Sequence, residues 1–99
     1  MSAYIIAQVE VTNTEKYKEY MAKTPETINK YGGKFVARGG APITLEGNPE
    51  NRRVVILEFA DSETAKKWYF SEEYQNVKKL REGAANASFV VIDGVSVKN

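Results

Sequence analysis

The stretch R52-R-V-V-I-L-E-F-A60 limits the fold of this chain more than any other. Read as a strand, it carries Arg53, Val55, Leu57 and Phe59 on one face and Arg52, Val54, Ile56 and Glu58 on the other, so both faces are apolar at their centre. Tyr4 to Val11 repeats the pattern less strongly. Its odd positions Ile5, Ala7, Val9 and Val11 are all apolar, while Tyr4, Ile6, Gln8 and Glu10 grade from apolar to polar. A sheet built from such strands needs cover on both sides.

The intervening segments supply helices. Thr12-Asn13-Thr14-Glu15 reads as a capping box with Thr12 as the cap. After it, Tyr17, Tyr20, Met21, Thr24, Ile28 and Tyr31 recur at spacings of three and four and give one buried stripe. Pro25 lies inside and is expected to kink or divide the helix, because it lacks a backbone donor. Gly32-Gly33 supplies a left-handed stop. Lys34 to Gly39 then reads as a strand with Phe35 and Ala37 on one face and Lys34, Val36 and Arg38 on the other. Gly39-Gly40-Ala41-Pro42 breaks it, Ile43 to Glu46 resumes as a short extended piece, and Gly47-Asn48-Pro49 turns.

Beyond the Arg52–Ala60 strand, Asp61-Ser62 caps a second helix with Ala65, Trp68 and Tyr69 inward, and Ser71 caps a further turn or two through Tyr74, Val77 and Leu80. Ser88 to Asp93 is the last strand, and the tail from Gly94 on is left as an edge piece or a loose end. The order is βαββαβ: an α+β, ferredoxin-like domain over residues 1–99, with four antiparallel strands and the helices on one face. Two helices leave the other face uncovered, with Tyr4, Ile6, Val36, Val54 and Ile56 on it. Burying one such aliphatic contributes about 1.5–3 kcal/mol. A second copy packed sheet to sheet about a two-fold axis is the simplest cover, and a homodimer is expected.

Composition removes several functions. The formal charge is +1, and the basic pairs Arg52-Arg53, Lys66-Lys67 and Lys78-Lys79 are interleaved with acids, so no field of one sign recruits nucleic acid or an anionic membrane. No long apolar run or basic leader is present, which is read as a cytoplasmic location. With no cysteine and no histidine there is no thiol nucleophile, no thiolate or imidazole metal site, and not the commonest general base. No acids stand at metal-loop spacing, and neither glycine pair has phosphate-loop spacing; no cofactor is expected. Any chemistry falls to Asp, Glu, Arg, Lys, Tyr and Ser/Thr.

If the dry faces meet the helices, unbroken alternation puts Gln8, Glu10, Arg38 and Glu58 together on the opposite face. A charge among aliphatics needs a partner, so Arg38 is expected against Glu58, Glu10 or a bound anion. A bulge at Gly39 would turn Arg38 over. Tyr17, Tyr31 and Trp68 border the helix-to-strand junctions and are the secondary candidates, although aromatics at helical spacing serve the core first.

The segments Y4-I-I-A-Q-V-E-V11, Y31-G-G-K-F-V-A-R-G-G40, R53-V-V-I-L-E-F59 and W68-Y-x-S71, with Tyr17, Tyr20, Pro25, Glu73, Tyr74, Gln75 and Arg81, resemble the domain-of-unknown-function family 1330 across nearly the whole chain. The resemblance implies the dimeric α/β-barrel superfamily of ferredoxin-like domains. That superfamily includes cofactor-independent oxygenases of aromatic polyketides, isomerases, dehydratases, haem degraders that depend on a ligating histidine, and proteins that only bind or assemble. Its pocket lies between sheet and helices. Two readings stay open. In one, a cofactor-independent enzyme of oxygenase, isomerase or dehydratase type acts on a small planar or acidic molecule. Glu58 or Glu10 then moves a proton, Arg38 holds an oxyanion, and Tyr17, Tyr31 and Trp68 wall the pocket. In the other, a non-catalytic dimeric binding or scaffold domain uses Arg38 and Glu58 as a structural ion pair.

Overall fold

A computed structural model describes residues 2–95. Strand β1 (Ala3–Val11) leads into helix α1 (Thr14–Lys30), followed by β2 (Lys34–Arg38) and β3 (Arg53–Phe59). Helix α2 (Ser62–Tyr69), helix α3 (Glu72–Lys78) with a 3-10 turn at Lys79–Arg81, and β4 (Ala85–Asp93) complete the chain. The sheet runs in the order β2-β3-β1-β4 with every neighbouring pair antiparallel. Ile5, Ala7 and Val9 of β1 and Leu57 and Phe59 of β3 are buried beneath the helices, against Tyr17, Tyr20 and Ile28 of α1, Ala65 and Trp68 of α2, and Tyr74 of α3.

The cap of α1 falls one residue later than the sequence pattern placed it. The Thr12 and Asn13 N–H groups both donate to the Ala84 carbonyl, at 2.7 and 3.0 Å, so the chain is still tied to the segment before β4 at this point. Asn13 Oδ1 then accepts from the Lys16 N–H at 3.1 Å, and Glu15 pairs with Lys18 instead of reaching back. Pro25 does not divide α1, which runs unbroken through it. The helix ends in a Schellman motif: the Gly33 N–H reaches the Ile28 carbonyl and the Gly32 N–H reaches that of Asn29, both at 3.0 Å, with Gly32 at φ +73°. Asp61 and Ser71 cap α2 and α3 through the Thr64 and Tyr74 N–H groups.

Two strand expectations are corrected. Ile43–Glu46 forms no strand; residues 39–52 are irregular, with Ile43 and Leu45 exposed. The last strand begins at Ala85, not Ser88, and pairs with the whole of β1 from Val11↔Ala85 to Ala3↔Asp93. Ala85 and Ala87 have little strand propensity of their own, and their pairing to Val11 and Val9 supplies what propensity lacks. The Gly94 N–H donates to the Ser2 carbonyl at 2.7 Å; residues 96–99 of the tail lie outside the described residues.

The third departure moves a candidate site residue to the other face of the sheet. Lys34 and Phe35 pair with Glu58 and Leu57, but Ala37 pairs with Ile56 and Arg38 with Val55, so Val36 is an extra residue in β2. The bulge sits at Val36, not Gly39, and it reverses the faces of Ala37 and Arg38. Ala37 joins the open face beside Ile56, and Arg38 turns to the helix side beside Val55.

Candidate functional site

Between the sheet and α1 lies a small cavity of about 40 Å³, walled by Tyr17, Tyr20, Phe35, Val55, Leu57 and Trp68. Two guanidinium groups line it, Arg38 from β2 and Arg53 from β3, and among the described residues no carboxylate does. Arg53 stands there because it shares the dry alternation of Val55, Leu57 and Phe59. Its Nε is buried without a hydrogen-bond partner, and its guanidinium carbon lies 6.0 Å from the centre of the Tyr17 ring. Gly39 makes room for it: at φ +74°, a Cβ on Gly39 would overlap the Arg53 guanidinium. Arg38 is exposed and lies over the Phe35 ring, 4.3 Å from its centroid.

The inner end of the cavity is aromatic. Trp68 is fully buried, donates from Nε1 to Thr27 Oγ1 at 3.0 Å, and stacks at 4.2 Å on Tyr74 and 5.5 Å on Phe59. The Tyr20 and Tyr74 hydroxyls are 2.7 Å apart. Burial, aided by Tyr20, raises the Tyr17 hydroxyl above the ordinary phenol range, against the lowering effect of Arg53 and Arg81. Burial does the same to Tyr74, reinforced by Tyr20. Both therefore stay protonated at neutral pH.

The other sequence candidates lie elsewhere. Glu58 is on the open face and pairs with Lys34 at 3.4 Å, not with Arg38; hydrogen bonds from Ser2, Lys34 and Tyr4 lower its pKa. The expected Arg38–Glu58 ion pair is absent because the bulge separates the two residues by the thickness of the sheet. The arginine that does reach the open face is Arg52. Its Nε and Nη2 bind Glu50 at 3.0 and 3.1 Å, and Gln8 donates to the same carboxylate at 2.9 Å. Glu10 is exposed and accepts from Asn86 Nδ2 at 3.3 Å. Tyr31 donates to Glu73 Oε1 at 3.3 Å, tying the end of α1 to α3 outside the cavity. Of the six candidates, the structure thus gathers Arg38, Tyr17 and Trp68 around one cavity, and leaves Tyr31, Glu58 and Glu10 outside it. Arg53 was the missed residue. Its signal was legible as a charge in register with three core residues.

No group of three or more metal-ligating side chains occurs among the described residues, and no described helix is long and apolar enough to cross a membrane.

A four-stranded antiparallel sheet with its helices on one face and a cavity between the two layers defines a ferredoxin-like α+β domain. The chain belongs to a family described as "Domain of unknown function (DUF1330)", whose profile matches residues 2–95. Among solved structures, it is similar to a protein of unknown function from Rhodopseudomonas palustris, at 18% identity and a TM-score of 0.77, covering 96% of this chain and 83% of the other. A dimeric ferredoxin-like protein of unknown function from Jannaschia sp. is 15% identical with a TM-score of 0.72, covering 95% and 100%. SnoaB, a cofactor-independent oxygenase from Streptomyces nogalater, is 11% identical with a TM-score of 0.68, covering 97% and 95%. At these identities the likeness establishes the fold. No curated protein matches the chain.

Proposed function

We propose that this domain binds a small planar, acidic molecule on the helix side of its sheet, with the anionic oxygens at Arg38 and Arg53. The observation that carries the reading is the pair of guanidinium groups on one aromatic-walled cavity with no carboxylate among the described residues lining it. A guanidinium with a buried, unpartnered Nε is costly to leave without an acceptor. The ligand body would lie among Tyr17, Phe35 and Trp68. Room for it comes from displacing Met21, a long, flexible side chain on the lining, while Arg38, exposed at the cavity's edge, stays to meet the anion.

Any reaction in this reading is cofactor-independent, and the cavity's part in it is to stabilise an oxyanion. Tyr17, held protonated by burial, donates a hydrogen bond to that oxyanion and keeps its proton, while Arg53 supplies the positive charge. Glu58 and Glu10 serve as bases only for a ligand on the open face, which makes them the weaker choice for a cavity ligand. That SnoaB is a cofactor-independent oxygenase is a reason to include quinones among the compounds tested.

Two copies are proposed to pack through the open face. Val36, Val90 and Ile92 are 53%, 58% and 55% exposed there, beside half-buried Tyr4, Ile6 and Ile56. The Lys34–Glu58 pair lies at one end of this apolar patch and the Gln8–Glu50–Arg52 cluster at the other, the arrangement of an interface with a dry centre and a polar rim. Structural neighbours described as dimeric support this.

The test is a thermal-shift screen of benzoate, salicylate and quinones, since a ligand of the folded state raises the melting temperature by mass action. Benzoate or a relative should stabilise the wild type, and Arg38→Ala and Arg53→Met should abolish that shift while light scattering still reports a dimer. If no planar acid shifts melting, or both variants respond as the wild type does, the cavity is not a site. A monomeric mass for the wild type would remove the dimer.

A further inference from the structure

On the far side of Phe89 from the cavity, α2, the 3-10 turn and edge strand β4 enclose a separate groove of about 570 Å³. This lies within the range of about 300–1,000 Å³ typical of small-ligand sites. Its floor is apolar, with Ile5, Ala65, Phe89 and Val91. Its charged lining is Lys66, Lys78 and Arg81, with no acid among the described residues.

Arg81 is the residue that asks for an explanation. It is only 8% exposed, the one charged side chain among the described buried residues. Among the described residues no carboxylate lies within ion-pair distance of it. Its guanidinium is held by aromatic company, 5.2 Å from the Phe89 ring centre and 5.5 Å from that of Tyr20, near the Tyr20 and Tyr74 hydroxyls, and its Nε has no hydrogen-bond partner. A buried cation without a counter-charge is costly, and an anion supplied from outside removes the cost. Lys78 lies 5.4 Å from the centre of the Tyr69 ring, and Lys66 is engaged only by an exposed, solvent-screened pair with Glu63.

We propose that this groove is a second ligand site, for a carboxylate with an apolar tail: the head group meets Arg81, Lys66 and Lys78, and the tail lies along Ala65, Phe89 and Val91. An apolar floor and a cationic wall, in which only Lys66 has a carboxylate partner among the described residues and that pair is solvent-screened, together select an amphipathic anion over either a neutral apolar molecule or a small inorganic ion.

Octanoate titrated into the full chain, followed by calorimetry and by methyl and amide NMR, tests this. Octanoate should bind with shifts at Ala65, Phe70, Phe89 and Val91, while inorganic phosphate should bind far more weakly. The double variant K66E/K78E changes an exposed and a half-buried residue and keeps the buried arginine; unchanged amide shifts away from the groove verify its fold. It should weaken octanoate about tenfold or more, as expected when charge-assisted contacts are lost. Arg81→Met should abolish binding if it folds, and the double variant decides the matter if it does not. The cavity variant Arg38→Ala should bind octanoate like the wild type, which separates this site from the one proposed above. Absence of octanoate binding, unchanged affinity in K66E/K78E, phosphate binding as tightly as octanoate, or shifts confined to Tyr17 and Arg53 would each overturn the proposal.

Discussion

The two faces of the sheet are made from the same strands yet have come to opposite conditions. Under the helices, Ile5, Ala7, Leu57 and Phe59 meet Trp68 and Tyr74 with almost no exposed surface. One residue along each strand, Tyr4, Ile6 and Ile56 are half covered, and Val90 and Ile92 are more exposed than buried. Alternation alone distributes apolar groups equally to the two faces; what differs is which face the chain itself can cover. The covered face holds the cavity and both of its arginines. On the open face Lys34–Glu58 and Arg52–Glu50 are paired at the ends, and exposed Glu10 meets the Asn86 amide. The unpaired guanidinium groups are thus on the helix side, and the paired charges lie on the face where a second copy is proposed to pack.

The contrast can be broken most sharply from the covered side. Trp68→Ala removes a fully buried indole and its bond to Thr27, and should cost about 3–5 kcal/mol in urea unfolding. A loss near that of a surface substitution would show that the helix layer is not what secures the fold.

On the open side, Ile6→Asp places a charge in the apolar centre. It should turn the proposed dimer into monomer by light scattering, forfeiting about 1.5–3 kcal/mol of burial per aliphatic at the proposed interface. An unchanged dimer would move the interface elsewhere. Helical circular dichroism should be retained, because the residue faces away from the core.

A smaller effect tests how the covered face holds its charge. Gly39→Ala forces a side chain into a left-handed backbone and against the Arg53 guanidinium, so it should cost roughly 1–2 kcal/mol and reduce benzoate binding with it. Stability lost with binding intact would mean that Arg53 does not need this seat.

The smallest effect concerns pH. The Glu58, Asp61 and Glu73 carboxyls are all lowered, by hydrogen bonds from Ser2 and Lys34, from Thr64, and from Lys30 respectively. A lowered folded-state pKa gives stability that is present above the unfolded value and lost as pH falls through the folded one. The melting temperature should therefore be level between about pH 5 and 8, where the chain has no histidine to titrate, and fall below about pH 4. A slope within the neutral range would contradict it.

Most of the fold was legible because it rests on periodicity. The dry residues of β1 and β3, the Gly32-Gly33 stop, and the caps at Asp61 and Ser71 follow from local chemistry that each residue carries with it. The early start of β4 was not legible, because Ala85 and Ala87 are strand residues only by virtue of Val11 and Val9 opposite. The site was half legible. Tyr17 and Trp68 follow from helical spacing, and Arg53 follows from its place among core residues. The side on which Arg38 stands does not, since nothing in K34-F-V-A-R38 marks Val36 as the residue left unpaired.

That unpaired residue works as a parity switch. Along a strand, each position is even or odd with respect to the sheet, and one extra residue inverts the parity of all that follow. In β2 only Ala37 and Arg38 follow before the strand ends, so the inversion trades one small side chain for one cation and disturbs nothing else. A relative that gains or loses a single residue at this point would carry its arginine to the other side of the sheet with the rest of the strand unaltered. The length of β2, more than the identity of its residues, sets which compartment the cation serves.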